Sequence, residues 1–375
     1  MKNTDDNDKS LSKETLTTAA KQLFLMCSIN PTGYSIAAVG IAKALYELGY
    51  DIKYHNLGGT PLYDNDIDKN LLSNMLDHEA NRISNDAPCV RIWHQFSLDT
   101  FVGKGPRIGY PIFELDKFSD LEKWHLDIPD KLFVCSKWGQ EIIKEQTGRD
   151  SYVVPLGVDT HVFKPGEKER DTDKTFTFIN IGKWEVRKGH DILADIFNKA
   201  FKPDDNVHLN ILAPLFASEQ ERKDWHNFYR ATPMGEHITF LDRVPAHADV
   251  AAIMQQADAG IFPNRGEGWN LELLELMACG KPVIATNYSG HTEFCTPENC
   301  RLVEPAGMEL AYDGKWFYGQ GSWARLDDQQ IDEFAEQMRL VFEDWQFNQA
   351  GVDTANAFTW KNSAKKLLTS LETVV

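Results

Sequence analysis

The sequence predicts an α/β protein: two domains, each built on a parallel sheet, facing a central cleft. Three observations predict it. The chain's 375 residues are too many for one ordinary core and suit two domains of about 150–200 residues each. Short, nearly continuous apolar runs alternate with segments of helical apolar spacing, the pattern of parallel strands covered on both faces. The alternation breaks once, at 164–175 (KPGEKERDTDKT), where charges, Pro165 and Gly166 interrupt it, and then restarts. Two Rossmann-like units around one linker satisfy all three.

The elements follow in order. Residues 1–18 are polar and charged and read as a flexible tail. QLFLMCSI supplies the first buried strand, centred on 23–27, and Asn30-Pro31-Thr32-Gly33 a turn. YSIAAVGIAKALYELGY then has helical spacing and stops near Gly49. CVRIWH, RIGYPIF and KLFVCS read as strands, KWGQEIIKEQTG as a helix closed by Gly148, and SYVVPLGVD as a strand running into a turn. Past the linker come strand FTFINIG, helix HDILADIFNKAF, strands VHLNILAP and HITFLD, helix HADVAAIMQQA, strand AGIFP, helix LELLELMACG and strand PVIAT. This places the first domain at 19–163 and the second at 176–345. Residues 306–325 are aromatic and glycine-rich and do not fit the alternation. They read either as a hairpin packed on the second domain or as a flap contacting an acceptor.

Composition narrows the function. Hydrophobic content of 42% with ten Trp fills real cores. A net charge of −17 disfavours a broad grip on nucleic-acid phosphates but leaves room for a local basic pocket. Cysteines 27, 89, 135, 279, 295 and 300 are scattered without a CxxC pair, which reads as reduced thiols in a cytoplasmic protein rather than a disulfide frame or zinc site. No apolar run approaches the roughly 20 residues of a membrane span, and LFLMC is too short for a signal peptide.

Two constellations carry chemistry. NIGKWEVRKGHD (180–191) leaves a strand and enters a helix with Lys183, Arg187 and Lys188 close together. Free amides and the positive helix end at that edge make an anion site. Neither the Walker pattern nor GxGxxG is present, and a solvated basic turn fits the residues equally well. In NRGEGWNLELLELMACGKP (264–282), Gly266 and Gly268 let backbone approach a ligand closely and display Glu267 at a strand's carboxyl end. Glu272, Glu275 and Cys279 share one stripe of the following helix. A carboxylate there suits a ribose diol, or a salt bridge to a surface lysine.

Together these resemble a family. EGWNLELLE is similar to the E-x7-E motif of retaining GT-B glycosyltransferases of the GT4 type, GKWEVRKG to their G-R-x4-K-G loop, and VPLGVDTHVFKP (154–165) to their P-N-G-V-D…F-x-P segment. FTWKNSAKKLLTSL resembles the last helix of that family, so 346–375 is expected to return to the first domain. The resemblance implies the GT-B fold and transfer of a hexosyl or pentosyl group from a nucleotide-diphosphate sugar to an acceptor hydroxyl. Configuration would be retained, with no metal or other cofactor. Glu267, Lys188 and His94 would be catalytic, with Glu267 on the sugar. Lys183, Lys188 and amides near Gly33 and Gly268 would hold the diphosphate, with Trp269, Asn270 and Leu271 alongside. Glu275 would take the ribose, and the segment around Val244 the base. Lys183 stands where the family usually has Arg, Leu156 replaces Asn, Gly33 is a lone glycine, and Asn270 replaces a glycine, which reduces backbone freedom. Asp64-Asn65-Asp66 and Asp171-Thr172-Asp173 have the D-x-D spacing of metal-dependent glycosyltransferases, but both read as chance. A glycan, a lipid-linked sugar, a small molecule and even a nucleic-acid base remain open as acceptor, and oligomeric state is not legible. A nucleotide-sugar epimerase of the same fold and a non-catalytic nucleotide-sugar-binding protein are the rival readings.

Overall fold

A computed structural model describes residues 21–29, 32–57, 84–213, 217–244 and 246–372. The tail 1–18 and the Asp64–Asp66 spacing lie outside the described residues.

The first sheet contains β1 (Gln22–Cys27), β2 (Asp51–Asn56), β3 (Cys89–Trp93), β4 (Arg107–Pro111), β5 (Lys131–Val134) and β6 (Tyr152–Val153), ordered β2-β1-β3-β4-β5-β6 and parallel throughout. The second contains β7 (Phe176–Ile181), β8 (Val207–Leu212), β9 (Ile238–Phe240), β10 (Ala259–Phe262), β11 (Val283–Thr286) and β12 (Arg301–Val303), ordered β12-β11-β10-β7-β8-β9 and again parallel. Central strands read as continuous apolar runs because both faces are covered; every residue of β10 and β11 is buried. Strand order reverses between β1 and β3 in one sheet and between β7 and β10 in the other. Crevices at such switch points, beyond the strands' carboxyl ends, are where open α/β sheets bind ligands.

Helix α1 (Gly33–Glu47) follows β1, and α2 (Asp120–Asp127) and α3 (Lys137–Thr147) flank β5. Ser136 caps α3 by accepting from the Gly139 amide, and Gly148, at φ 72°, ends it. In the second domain α4 (His190–Ala200), α5 (Glu219–Arg230), α6 (His247–Gln256), α7 (Leu271–Ala278) and α8 (Asp328–Glu343) cover the sheet. The patterning above passes over α2 and α5, although each opens on a reciprocal capping box, Ser119 with Glu122 and Ser218 with Glu221. All six cysteines are buried, three in each domain.

Of the expected return segment 346–375, the described residues 346–372 do not return as one piece. Helix α9 (Gln349–Ala357) packs on α7 in the second domain, and only α10 (Trp360–Glu372) docks on α1. The anchor is Asn348, whose Nδ2 donates to the Lys281 and Asn299 carbonyls at 3.1 and 2.8 Å. The return falls at Phe358–Thr359, beside the other crossover, where the Val158 amide donates to the Phe358 carbonyl at 2.9 Å.

Trp360 seats α10 directly over Gly40 of α1: a Cβ at Gly40 would lie 2.4 Å from the indole. Gly40→Leu should therefore force the indole out, and overpacking of this kind costs about 1–3 kcal/mol. A urea-unfolding midpoint equal to that of the parent protein would show that the seat is not tight.

Candidate active site in the interdomain cleft

The two motif loops are neighbours because β7 and β10 are paired at the centre of their sheet. After β7 the chain makes a short 3-10 turn, Val186–Lys188, and passes Gly189 into α4. Gly189 has φ 78°, and a Cβ there would meet the Pro263 carbonyl at 2.2 Å, so only glycine lets the loops come this close.

The result is a buried ion cluster. Glu267 Oε1 lies 2.8 Å from Lys188 Nζ, and Oε2 lies 3.2 Å from Arg187 Nη1. Asn264 Nδ2 donates to Oε1 at 2.9 Å. Arg187 also pairs with Glu185 at 2.8 Å and donates to the Gly266 carbonyl at 2.7 Å. Burial acts to raise the Glu267 carboxyl, but Lys188 and Arg187 outweigh it and hold it at about 2. The basic loop is thus largely neutralised: Arg187, expected to face an anion, is buried against Glu185 and Glu267. Lys183, a third exposed at its side chain, lies 3.8 Å from Glu185 and reaches the cleft.

Gly266 and Gly268 also let the loop approach the first domain closely. A Cβ at Gly266 would lie 2.7 Å from the Glu114 carbonyl, and one at Gly268 would lie 2.6 Å from Ile112 Cγ2. They bring the loop against the first domain, just past the end of β4. The Trp269 indole is buried against Phe294 and Phe358, with ring centres 4.9 and 5.7 Å away. Asn270 takes the left-handed conformation, φ 77° and ψ 71°, that glycine would adopt, so the substitution keeps the turn. Its side-chain amide is buried without a partner.

Helix α7 starts at Leu271 without a side-chain cap, and α1 starts at Gly33 likewise. The two helix beginnings oppose each other, since a Cβ on Gly33 would be 3.9 Å from Leu271 Cδ1. His94, following β3, is half-buried, with Nδ1 2.8 Å from the Tyr34 hydroxyl, which also donates to the Ile112 carbonyl at 3.2 Å. Burial, aided by Lys183, pushes its pKa down to about 4, so it is a neutral imidazole at pH 7. Val244 is half-buried in the loop after β9, on the far side of the sheet from β11. Asp171 accepts from the Asp173 amide and pairs with Lys174, an ordinary linker turn.

Glu275, one turn into α7, is 7% exposed and makes no side-chain hydrogen bond or ion pair among the described residues. The surface-lysine alternative is therefore wrong. Burial, with Glu272 nearby, pushes its carboxyl up to about 8.

Four further participants were not singled out in the sequence. Tyr34 holds His94. Ser289 Oγ accepts from the Glu267 amide at 2.8 Å. Arg265 pairs with Asp191 at 2.8 Å and Glu309 at 3.0 Å. Glu114 projects from the first domain. Glu309 belongs to the hairpin of β13 (Met308–Tyr312) and β14 (Tyr318–Ala324), which fills the segment 306–325. The hairpin packs on the second domain and also touches the first: the Ser322 amide donates to Asp116 Oδ1 at 2.7 Å, and Trp323 packs with Leu115.

Comparison with known proteins places this arrangement. The family described as glycosyl transferases group 1 matches residues 175–312, the span holding both loops. Over 197 residues the chain is 27% identical to phosphatidyl-myo-inositol mannosyltransferase of Mycobacterium leprae, covering 51% of this chain and 50% of that protein. Over 206 residues it is 26% identical to glycogen synthase of Mycobacterium tuberculosis, covering 51% and 46%. The chain thus spans about half the length of the curated relatives it matches. Among solved structures, sucrose-phosphate synthase from Thermosynechococcus elongatus superposes with TM-score 0.69 at 15% identity, covering 94% of this chain and 99% of that one. Anabaena HepE in complex with UDP-glucose superposes with TM-score 0.66 at 16% identity, covering 94% and 99%. The fold is GT-B.

The Glu275 environment makes a pH signature. Folded, the carboxyl keeps its proton up to about pH 8, whereas the unfolded value is 4.5. The stability held by the neutral acid is complete below the unfolded value and is lost as pH rises to the folded one. Melting temperature should fall across that window in the native sequence and fall less in Glu275→Gln. Parallel curves for the two proteins would refute the assignment.

Proposed function

We propose that this protein is a retaining glycosyltransferase that moves a sugar from a nucleotide-diphosphate sugar to an acceptor hydroxyl without a metal. The observation that carries the reading is Glu275, a buried carboxyl group with no protein partner among the described residues, set below the uncapped start of α7. A ribose diol supplies the hydroxyl donors this group lacks and, by donating to it, would favour the carboxylate over the neutral acid. The family match over the second domain and the UDP-glucose held by HepE support the same donor class.

Transfer breaks the bond from the anomeric carbon to the diphosphate. Negative charge grows on the leaving oxygen and positive charge on the sugar. Lys183, Lys188 and the amides at the starts of α1, by Gly33, and α7, by Gly268, stabilise the first. Glu267, kept ionised by its cations, faces the second. Lys188, paired with Glu267 at 2.8 Å, would couple that carboxylate to the diphosphate. Glu275 is about five residues into its helix, so at ~1.5 Å rise per residue it sits roughly 7 Å from the loop, which suits opposite ends of one donor.

The two glutamates should fail differently. Glu275→Gln should raise donor KM and weaken binding of UDP by about tenfold, because ribose is held alike in ground and transition states. Glu267→Gln should mainly lower kcat while UDP still binds. EDTA should leave turnover intact. Loss of UDP binding in Glu267→Gln with none in Glu275→Gln would reverse the assignment. Activity abolished by EDTA and restored by manganese would overturn metal independence.

A further inference from the structure

Glu114 is the carboxylate that the donor-side chemistry leaves unexplained. It lies three residues beyond β4, in the first domain, at the carboxyl edge of the sheet. Its neighbours fix it on both sides. Phe113 is buried in the first domain's own cluster, and Leu115 is buried against Trp323 of the hairpin. Asp116 is held by the Ser322 amide, and the Glu114 carbonyl is pressed on Gly266. An extended segment sends alternate side chains to opposite sides. With Phe113 and Leu115 committed to apolar clusters, Glu114 is turned the other way, into the cleft. There it lies in the field of Arg187, Lys183, Glu267 and Glu185.

Carboxylates around it are all engaged. Glu185 has Arg187, Glu267 has Lys188, Arg187 and Asn264, and Asp116 has the Ser322 amide. Glu293 takes the Lys137 amide at 2.7 Å. Glu114, half-buried, makes no side-chain hydrogen bond or ion pair among the described residues. A carboxylate held on a rigid segment, beside the ion cluster and without a donor of its own, is built to receive one from outside.

We propose that Glu114 is a catalytic residue whose carboxylate accepts a hydrogen bond from the acceptor hydroxyl that attacks the sugar: that oxygen bonds to the anomeric carbon as the bond from this carbon to the diphosphate breaks, and the hydroxyl's proton leaves on the diphosphate. The inference rests on the glycosyltransferase reading and deepens it. Glu267 comes from the donor domain, and its oxygens are already occupied. Glu114 comes from the opposite domain, and its oxygens are available to a second substrate.

The test uses the full chain, with UDP and UDP-glucose as probes and water as the smallest acceptor. Calorimetry gives the affinity of each ligand for the native protein and for Glu114→Gln, and release of glucose gives hydrolysis. A lost contact to the attacking oxygen should slow hydrolysis by about tenfold. Both affinities should stay within about twofold and the melting temperature should be unchanged, since neither ligand carries the acceptor. Unchanged hydrolysis overturns the proposal. Weakened UDP-glucose binding with UDP unaffected assigns Glu114 to the donor sugar and also overturns it. A loss of both affinities or of melting temperature makes the residue structural. A native protein that binds neither ligand refutes a uridine-diphosphate donor instead, and the proposal in this form falls with it.

Discussion

The cluster of Glu267 with Lys188 and Arg187 is the constraint on which the rest of the site depends. Separately, each of these charges would be expensive to bury. Together, with Asn264 and the Gly266 carbonyl completing their hydrogen bonds, they join the loops after β7 and β10 into one body. That body sets where α4 and α7 begin, and so where their amides point. Removing one partner would leave a buried charge uncompensated, which is far more damaging than losing an exposed pair. The same cluster presents a carboxylate that its cations keep ionised at neutral pH.

A second layer ties that body to the first domain. Arg265, beside Glu267, holds Asp191 and Glu309, and Glu309 also accepts from the Trp323 indole at 2.9 Å. Trp323 in turn packs on Leu115, one residue from Glu114. The hairpin therefore links the chemistry-bearing loops of both domains. Its outer face carries Leu310, Tyr312, Trp316 and Tyr318 exposed, while its inner face carries the linkage.

The architecture was legible because parallel strands buried on both faces must be continuously apolar, and the single charged break marked the linker. The two motif loops were legible because glycines, cations and a displayed carboxylate are unusual beside such strands. Other features were not. The patterning passed over α2 and α5, which are polar on most faces, although their S-x-x-E openings were available as a signal. The approach of Gly266 and Gly268 to the first domain could not be read, since the backbone they admit belongs to residues 112–114, more than a hundred positions earlier. Glu114 was missed for a related reason. A lone glutamate after a strand looks like any surface residue until its neighbours are seen to be committed elsewhere. The pairing of Arg187 with Glu185 was within reach, two residues apart, but nothing in the spacing says whether the guanidinium turns inward or outward.

The burial of every cysteine has a use outside catalysis. Cys27, Cys89 and Cys135 report on one domain and Cys279, Cys295 and Cys300 on the other, and none is more than 6% exposed. A thiol reagent in solution meets them only when the chain opens. The native sequence is therefore its own footprinting probe: the order in which the two sets of sulfurs become alkylated reads out which half of the molecule breathes first, without introducing a label.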